Sequence, residues 1–342
     1  MQNLTRASQE LFRRTPDETF PSLDVLVNHC HQQQEASLDH WISPTGLWTK
    51  PVDAGSLLLA GDEDQTFRMN DWSFGQLCRL SGVAKETVNR LSSDTASRVF
   101  SETLPGGNKP LQIFATGDQA RSIHGASYTR LHNAELLDTV LEAADGFEPP
   151  PKGFNGGTGL YCGEQDMFVF LIDPTGWIEI AGENFAPGFF LWNSEVGRRS
   201  LGIETFWFQA VCQNHIVWDA VEVVEFSRKH TANVHDGLLE IRGIIQALTA
   251  KRDQRRDAFA RVIQRAMETQ LGDDADETRA ELAKVGVSRT LARQALELAQ
   301  EHGRFTVFNV VDALTRLSRQ IVNAGDRTEV DQQAGRLLSL AV

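Results

Sequence analysis

The sequence predicts an α+β fold: a mainly antiparallel sheet with helices packed on it, followed by an all-helical C-terminal region. Three observations lead there. Short apolar runs come in pairs joined by tight-turn residues, as in Leu111–Ala115, Gly117-Asp118 and Ala120–Ile123, or Met167–Ile172, Asp173-Pro174-Thr175-Gly176 and Trp177–Ala181. Strands joined by such turns pair antiparallel. Two dense runs rich in aromatic residues, Phe189–Trp192 and Phe206–Cys212, read as buried strands ending in polar loops. From Asp236 the pattern changes, and Leu238, Ile241, Ile245 and Leu248 recur at the three- and four-residue spacing of a helix.

Taken in order, Leu4–Arg13 reads as a short helix, followed by a polar stretch ending in Asn28-His29-Cys30-His31. Adjacent ligands on a regular element cannot all face one ion, so His29, Cys30 and His31 read as a solvated loop better than as a metal site. Residues 36–60 carry Trp41, Trp48 and Ser56–Ala60, a strand or two. Residues 72–100 place Phe74, Leu77 and Leu80 before Gly82, and Val88 and Leu91 after it. That is the outline of a helix-turn-helix, but with only Arg79, Lys85 and Arg90 for charge it reads better as a plain helical pair packed on the sheet. Asn133 is placed to cap a helix over Ala134–Ala144. Gly159–Gly163 opens the strand meander, and Trp218–Phe226 reads as its last strand. Beyond it, Gly272–Glu281 reads as an acidic break, with helices over Ala283–Gln300, Phe305–Val322 and Asp331–Ala341. The expected organisation is an N-terminal helix and loop (1–35), an α+β core (36–230) and a helical region (231–342). Glycine-dense Gly153–Gly159 lacks the lysine of a phosphate loop and no helix follows it, so a nucleotide-binding engine is not expected.

The 342 residues carry a formal charge of -13, which excludes a uniformly basic nucleic-acid binder and leaves room only for a segregated basic patch. Four cysteines without paired spacing suit a reduced cytoplasm, and no apolar stretch has the length of a membrane span. A cytoplasmic protein without cofactor or membrane partner is the expectation.

Two groups of residues draw a nucleic-acid reading. The loop Asn193-Ser194-Glu195-Val196-Gly197-Arg198-Arg199 sits at a strand end, where Asn193, Arg198 and Arg199 are suited to holding phosphate. The alternative is a turn in which Glu195 pairs with an arginine and Asn193 caps the chain. Between Phe226 and Arg265 stand nine Lys/Arg against four carboxylates. Arg228 and Lys229 follow the last strand, and Lys251/Arg255 and Arg252/Arg256 lie four apart, so a continuous helix would align them as a stripe able to track a phosphate backbone. A solvated face with local ion pairs to Asp253 and Asp257 is the competing reading. Nearby aromatics such as Tyr161, Trp177, Trp192 and Trp207 either stack bases or fill the core. Glu164, Asp166, Glu179, Glu183, Glu195 and Glu204, with His124, His132, His215 and His230, form no known catalytic spacing.

The segments Gly188–Arg198 and Phe206–Asn214, with Ala120–Asn133 and Phe305–Thr315, resemble an uncharacterised phage/plasmid-like family whose most specific feature is the Asn-Ser-Glu-Val-Gly motif. The resemblance spans roughly residues 60–320. This chain departs from the family at Phe114 and Gln119, where basic or polar residues are common, and at Gln213-Asn214-His215, where Asn-Gly is usual. Membership would imply carriage on a phage, plasmid or integrative element. The resulting expectation is a DNA-transaction protein that binds single-stranded DNA, annealing it in the manner of the RecT and Red-beta group, as a homo-oligomer. The alternatives are a metal-dependent nuclease using Glu195, and a non-catalytic defence or anti-defence protein that binds a protein partner.

Overall fold

A computed structural model of the chain describes residues 11–53, 55–61, 65–151, 159–209, 215–218, 225–301 and 305–341. Most of the expected first helix, the glycine stretch 153–158, the end of the Phe206–Cys212 run and the middle of Trp218–Phe226 lie outside the described residues.

The elements run β1 (Glu18–Thr19), α1 (Leu23–Glu35), β2 (Ser37–Ile42), β3 (Trp48–Asp53), β4 (Ser56–Ala60), β5 (Thr66–Met69), α2 (Asp71–Leu80), α3 (Lys85–Val88), α4 (Ser93–Thr103), β6 (Leu111–Thr116), β7 (Gln119–Gly125) and α5 (Asn133–Ala143). The meander follows as β8 (Leu160–Cys162), β9 (Met167–Ile172), β10 (Ile178–Ile180), β11 (Glu183–Asn193), β12 (Leu201–Gln209), β13 (His215–Trp218) and β14 (Glu225–Arg228). The helical region comprises α6 (Asp236–Ala250), α7 (Arg252–Glu268), α8 (Ala275–Lys284), α9 (Arg289–Gln300), α10 (Val307–Ser318) and α11 (Ala324–Leu338). The fold is thus α+β, with strands in the first two thirds and helices after them.

The strands form two sheets. A large sheet runs β1-β8-β9-β11-β12-β13, with β10 on β11 and β14 on β12, all antiparallel. A small sheet runs β2-β6-β7-β5-β4-β3, antiparallel except for β5 against β7. Its two edge strands, β2 and β3, are joined by only the short segment from Ser43 to Leu47, which includes a turn of 3₁₀ helix. Edges of a flat six-stranded sheet stand about 24 Å apart at about 4.8 Å per strand, so the small sheet is curled. A Cβ on Gly61, just past β4, would lie 2.3 Å from Ile42 at the end of β2, as that curl requires. Helices α2, α3 and α4 pack Phe74, Leu77, Val88, Ala96 and Phe100 against this sheet, so the pair around Gly82 is a sheet-packing element.

Strands β11 and β12 are apolar along most of their length because both faces are covered. Phe189, Leu191, Leu201 and Ile203 share a core with α1, α5 and α6, and Phe185 and Trp207 share one with α7 to α11. The Trp207 ring stacks on Phe259 of α7 at 4.3 Å. On the opposite face Phe168, Phe170, Phe190, Trp192, Phe206 and Phe208 form an aromatic layer closed by Ala324. Glycine is required opposite Trp192: a Cβ on Gly202 would fall 2.1 Å from the indole.

Several local expectations change. Residues 23–35 are a helix capped by Ser22, with Leu26 and Cys30 in the core, where the sequence pattern suggests a polar loop. Three strands occupy 37–60, where the sequence suggests one or two. Asn133 is the first residue of α5, its side chain engaged by Asn193, and His132 holds the cap position. The acidic segment 272–281 contains the start of α8, because Asp274 accepts from Asp276 and Glu277 N–H and carboxylates suit a helix N-terminus. The expected helix from Ala283 is interrupted at Gly286 (φ +88) and restarts at Arg289. The last helix begins at Ala324, earlier than Asp331. Residues on both sides of positions 35 and 230 share cores with the sheets. Among the described residues no helix is long and apolar enough to cross a membrane.

Candidate functional site

Strand β11 ends at Asn193 and the chain turns over Ser194-Glu195-Val196-Gly197, with Gly197 N–H on the Ser194 carbonyl at 3.1 Å. Gly197 has φ +75, and a Cβ there would lie 2.7 Å from the His124 ring, so only glycine fits the turn. The turn inserts between the two sheets. The stretch Ala120–Asn133 wraps it.

Almost every polar group of the turn is held by protein. Asn193 is buried, and its amide donates to the Leu131 carbonyl at 3.0 Å and to Asn133 Oδ1 at 2.8 Å. Ser194 Oγ donates to the Gln165 carbonyl and accepts from Arg198 N–H. Glu195 is 2 % exposed, and Oε2 lies 2.7 Å from Arg121 Nη1. Its Oε1 accepts from Asn133 N–H at 2.8 Å, with His132 Nδ1 at 3.5 Å. The Glu195 carbonyl accepts from Arg130 and from Tyr128 OH. Val196 carbonyl accepts from Trp72 Nε1 at 2.8 Å and His124 Nε2 at 2.9 Å.

The electrostatics follow from burial. Desolvation alone would push the Glu195 carboxyl up, but Arg121 and the hydrogen bonds from His132 and Asn133 outweigh it and hold it at about 2. Burial first, then the Arg130 charge, lowers His124 to about 4, so the imidazole is neutral where it stacks on Tyr128 at 3.8 Å. Burial likewise lowers His230, which stacks on the other side of the same cluster, to about 4. Arg130 is neutralised by Asp39 of β2 at 2.8 Å and lies 3.6 Å from the Phe114 ring centroid. This is a clasp between the sheets, and each carboxyl oxygen of Glu195 has a protein N–H group within 2.8 Å.

The nine residues expected to contact nucleic acid are dispersed. Asn193 is inside the clasp. Arg199 bridges Asp166 at 3.5 Å and Glu329 at 3.0 Å. Arg228 bonds the Asn233 carbonyl and faces Asp236 at 3.7 Å, and Lys229 is exposed. The helical stripe is corrected, because the chain breaks at Lys251, which ends α6 and caps α7. Beyond the break Arg252 pairs with Asp173, Arg255 is buried, and Arg256 pairs with Asp253 and Asp257. Nor do stripe and loop share one groove. Arg252 is tied beyond the C-terminal end of β9, whereas Asn193 pairs with Met167 at its start. Six residues of strand put these ends about 20 Å apart.

Arg198 carries the exposed side chain of the loop, and it meets residues from a different part of the chain. Its guanidinium lies 5.9 Å from the Trp72 ring centroid, with Arg79 at 5.1 Å from the same ring. Arg79 is exposed and Trp72 half-buried, its indole pinned by the bond to Val196. In the sequence Trp72 merges into the apolar pattern of α2, and no local signal distinguishes it from the core phenylalanine two residues on. Among the described residues no group of three or more His, Cys, Asp or Glu side chains is arranged to hold a metal ion. Comparison of the chain with protein families, curated proteins and solved structures returned no match.

Proposed function

We propose that this chain is a DNA-transaction protein of a phage, plasmid or integrative element and binds single-stranded DNA through Trp72, Arg79 and Arg198. The observation that carries the reading is the fixed indole flanked by two exposed guanidiniums. Bases stack on aromatic rings without regard to sequence, and arginines beside the ring supply phosphate contacts and cation–π attraction. The net charge of -13 does not forbid this, since charges farther than about 8 Å are largely screened at physiological salt. The resemblance carried by the Asn193–Gly197 motif supplies the mobile-element context, and the clasp itself serves to hold Arg198 beside α2.

Fluorescence anisotropy with labelled single- and double-stranded oligonucleotides across a salt series tests the reading. Single strands should bind with an affinity that falls steeply with salt. Arg198→Ala should flatten the slope by roughly one unit, and Trp72→Leu should weaken binding at all salt concentrations. Arg256→Ala, whose guanidinium is held by Asp253 and Asp257 on α7, should leave binding unchanged. No binding of either oligonucleotide at low salt would overturn the proposal.

A further inference from the structure

A cavity of about 210 Å³ lies between the large sheet and the start of α11, on the aromatic face of the sheet. Tyr161, Phe170 and Phe208 line it from the strands, and Arg319, Arg327 and Asp331 from the helical region. This wall combines two kinds of surface. The rings form an apolar floor, in which Phe170 stacks on Phe190 at 5.3 Å and meets Tyr161 edge-on. Above it, Arg327 donates to Tyr161 OH at 3.0 Å and lies 4.8 Å from the Tyr161 ring centroid. Its Nε is buried and finds no hydrogen-bond acceptor among the described residues. A buried donor without an acceptor costs about 1–3 kcal/mol, which an occupant supplying an acceptor would recover.

Charge and size define that occupant. Asp331 lines the cavity and feels the Arg327 charge, but it is buried and bonded by Ser318 Oγ at 2.6 Å, and burial pushes it up to about 7. Asp17 is turned to other partners, accepting from Ala324 N–H at 2.8 Å and pairing with Arg14 at 3.4 Å. The Arg327 guanidinium therefore faces the cavity beside a carboxyl that burial holds well above its ordinary range, which favours an anion. A dry apolar cavity of about 150 Å³ accommodates benzene, and drug-sized ligands need about 300 Å³ or more. A space of about 210 Å³ suits one ring with one small substituent.

We propose that this cavity binds a small molecule built on a single six-membered aromatic ring bearing a carboxylate, with the ring against Phe170 and Phe208 and the carboxylate on Arg327. The site is separate from Trp72 and does not depend on DNA binding. Isothermal titration calorimetry of the full chain with benzoate tests it, with benzyl alcohol as the ring without the charge and acetate as the charge without the ring. Saturable one-to-one binding of benzoate below about 5 mM is expected, with a rise in melting temperature because ligand binds only the folded state. Both control compounds should bind about tenfold or more weakly. Arg327→Met and Phe170→Leu should each reduce benzoate affinity about tenfold, the second retaining every charged group while the first retains the aromatic floor. Melting curves of the two variants without ligand establish that they are folded. Absence of saturable benzoate binding, acetate binding as tight as benzoate, or benzoate affinity unchanged in both variants would overturn the proposal.

Discussion

The Glu195 carboxylate and the Arg121 guanidinium meet at 2.7 Å with both side chains buried, joining the turn after β11 to strand β7 of the other sheet. Removing one member of such a pair leaves the other charge buried and uncompensated. Glu195→Gln should therefore cost about 3–5 kcal/mol, measured as a shift in the urea midpoint. The effect has a defined pH window. Glu195 sits at about 2 in the folded chain against an ordinary 4.5, so the stability it confers is complete above the higher value. It is lost as pH falls toward the lower one. The difference between wild type and variant should shrink on acidification through that range, and a difference independent of pH would contradict the assignment.

The turn itself can be tested at Gly197. With φ +75 and the His124 ring 2.7 Å from where an alanine Cβ would stand, Gly197→Ala combines backbone strain with a clash. The left-handed conformation alone costs about 1–2 kcal/mol for a residue with a Cβ, and the His124–Tyr128 stack must shift besides. A thermal melt unchanged by this substitution would exclude the geometry described.

Asp331 gives a prediction of opposite sign. Its carboxyl is pushed up to about 7 by burial, against the favourable Ser318 hydroxyl and the Arg327 and Arg319 charges. A raised carboxyl contributes its stability below the unfolded value of 3.8 and loses it as pH rises through the folded one. Asp331→Asn should therefore gain stability relative to wild type as pH rises across that interval, followed by denaturant midpoints at matched salt.

The C-terminal helices should prove inseparable from the sheets. Phe308, Val311 and Leu314 of α10 share a core with Ile180, Phe185 and Trp207. A chain ending at residue 304 would uncover those rings, and we expect it to be insoluble or to lose the near-ultraviolet signal of Trp207. A soluble fragment with a sharp melt would show that the sheet's core is closed without α10.

Core packing around Phe208 provides a last check. It is 2 % exposed in the aromatic layer, with Trp177 edge-on at 5.9 Å. Phe208→Ala should cost about 3–5 kcal/mol, read from chemical denaturation.

The sequence by itself determined the class of the fold and most of its strands. Turn chemistry at Gly117-Asp118 and Asp173–Gly176 is local, and the alternation of buried rings along β11 and β12 is written in consecutive residues. Helices whose formation rests on capping and tertiary cover are harder to read. Helix α1 carries a polar sequence whose few core residues, Leu26, Val27 and Cys30, matter only against the sheet. Helix α8 begins in an acidic run because Asp274 caps it. For the candidate site the limit is physical: charge depends on what surrounds it. A count of arginines between Phe226 and Arg265 implies a stripe, but Asp173 lies far from Arg252 in sequence and the break at Lys251 separates the helical faces. The same distance in sequence hides the pairing of Glu195 with Arg121 and the meeting of Arg198 with Trp72. Only the folded chain decides which polar groups of the Asn193–Arg199 loop are spent holding two sheets together and which one faces solvent.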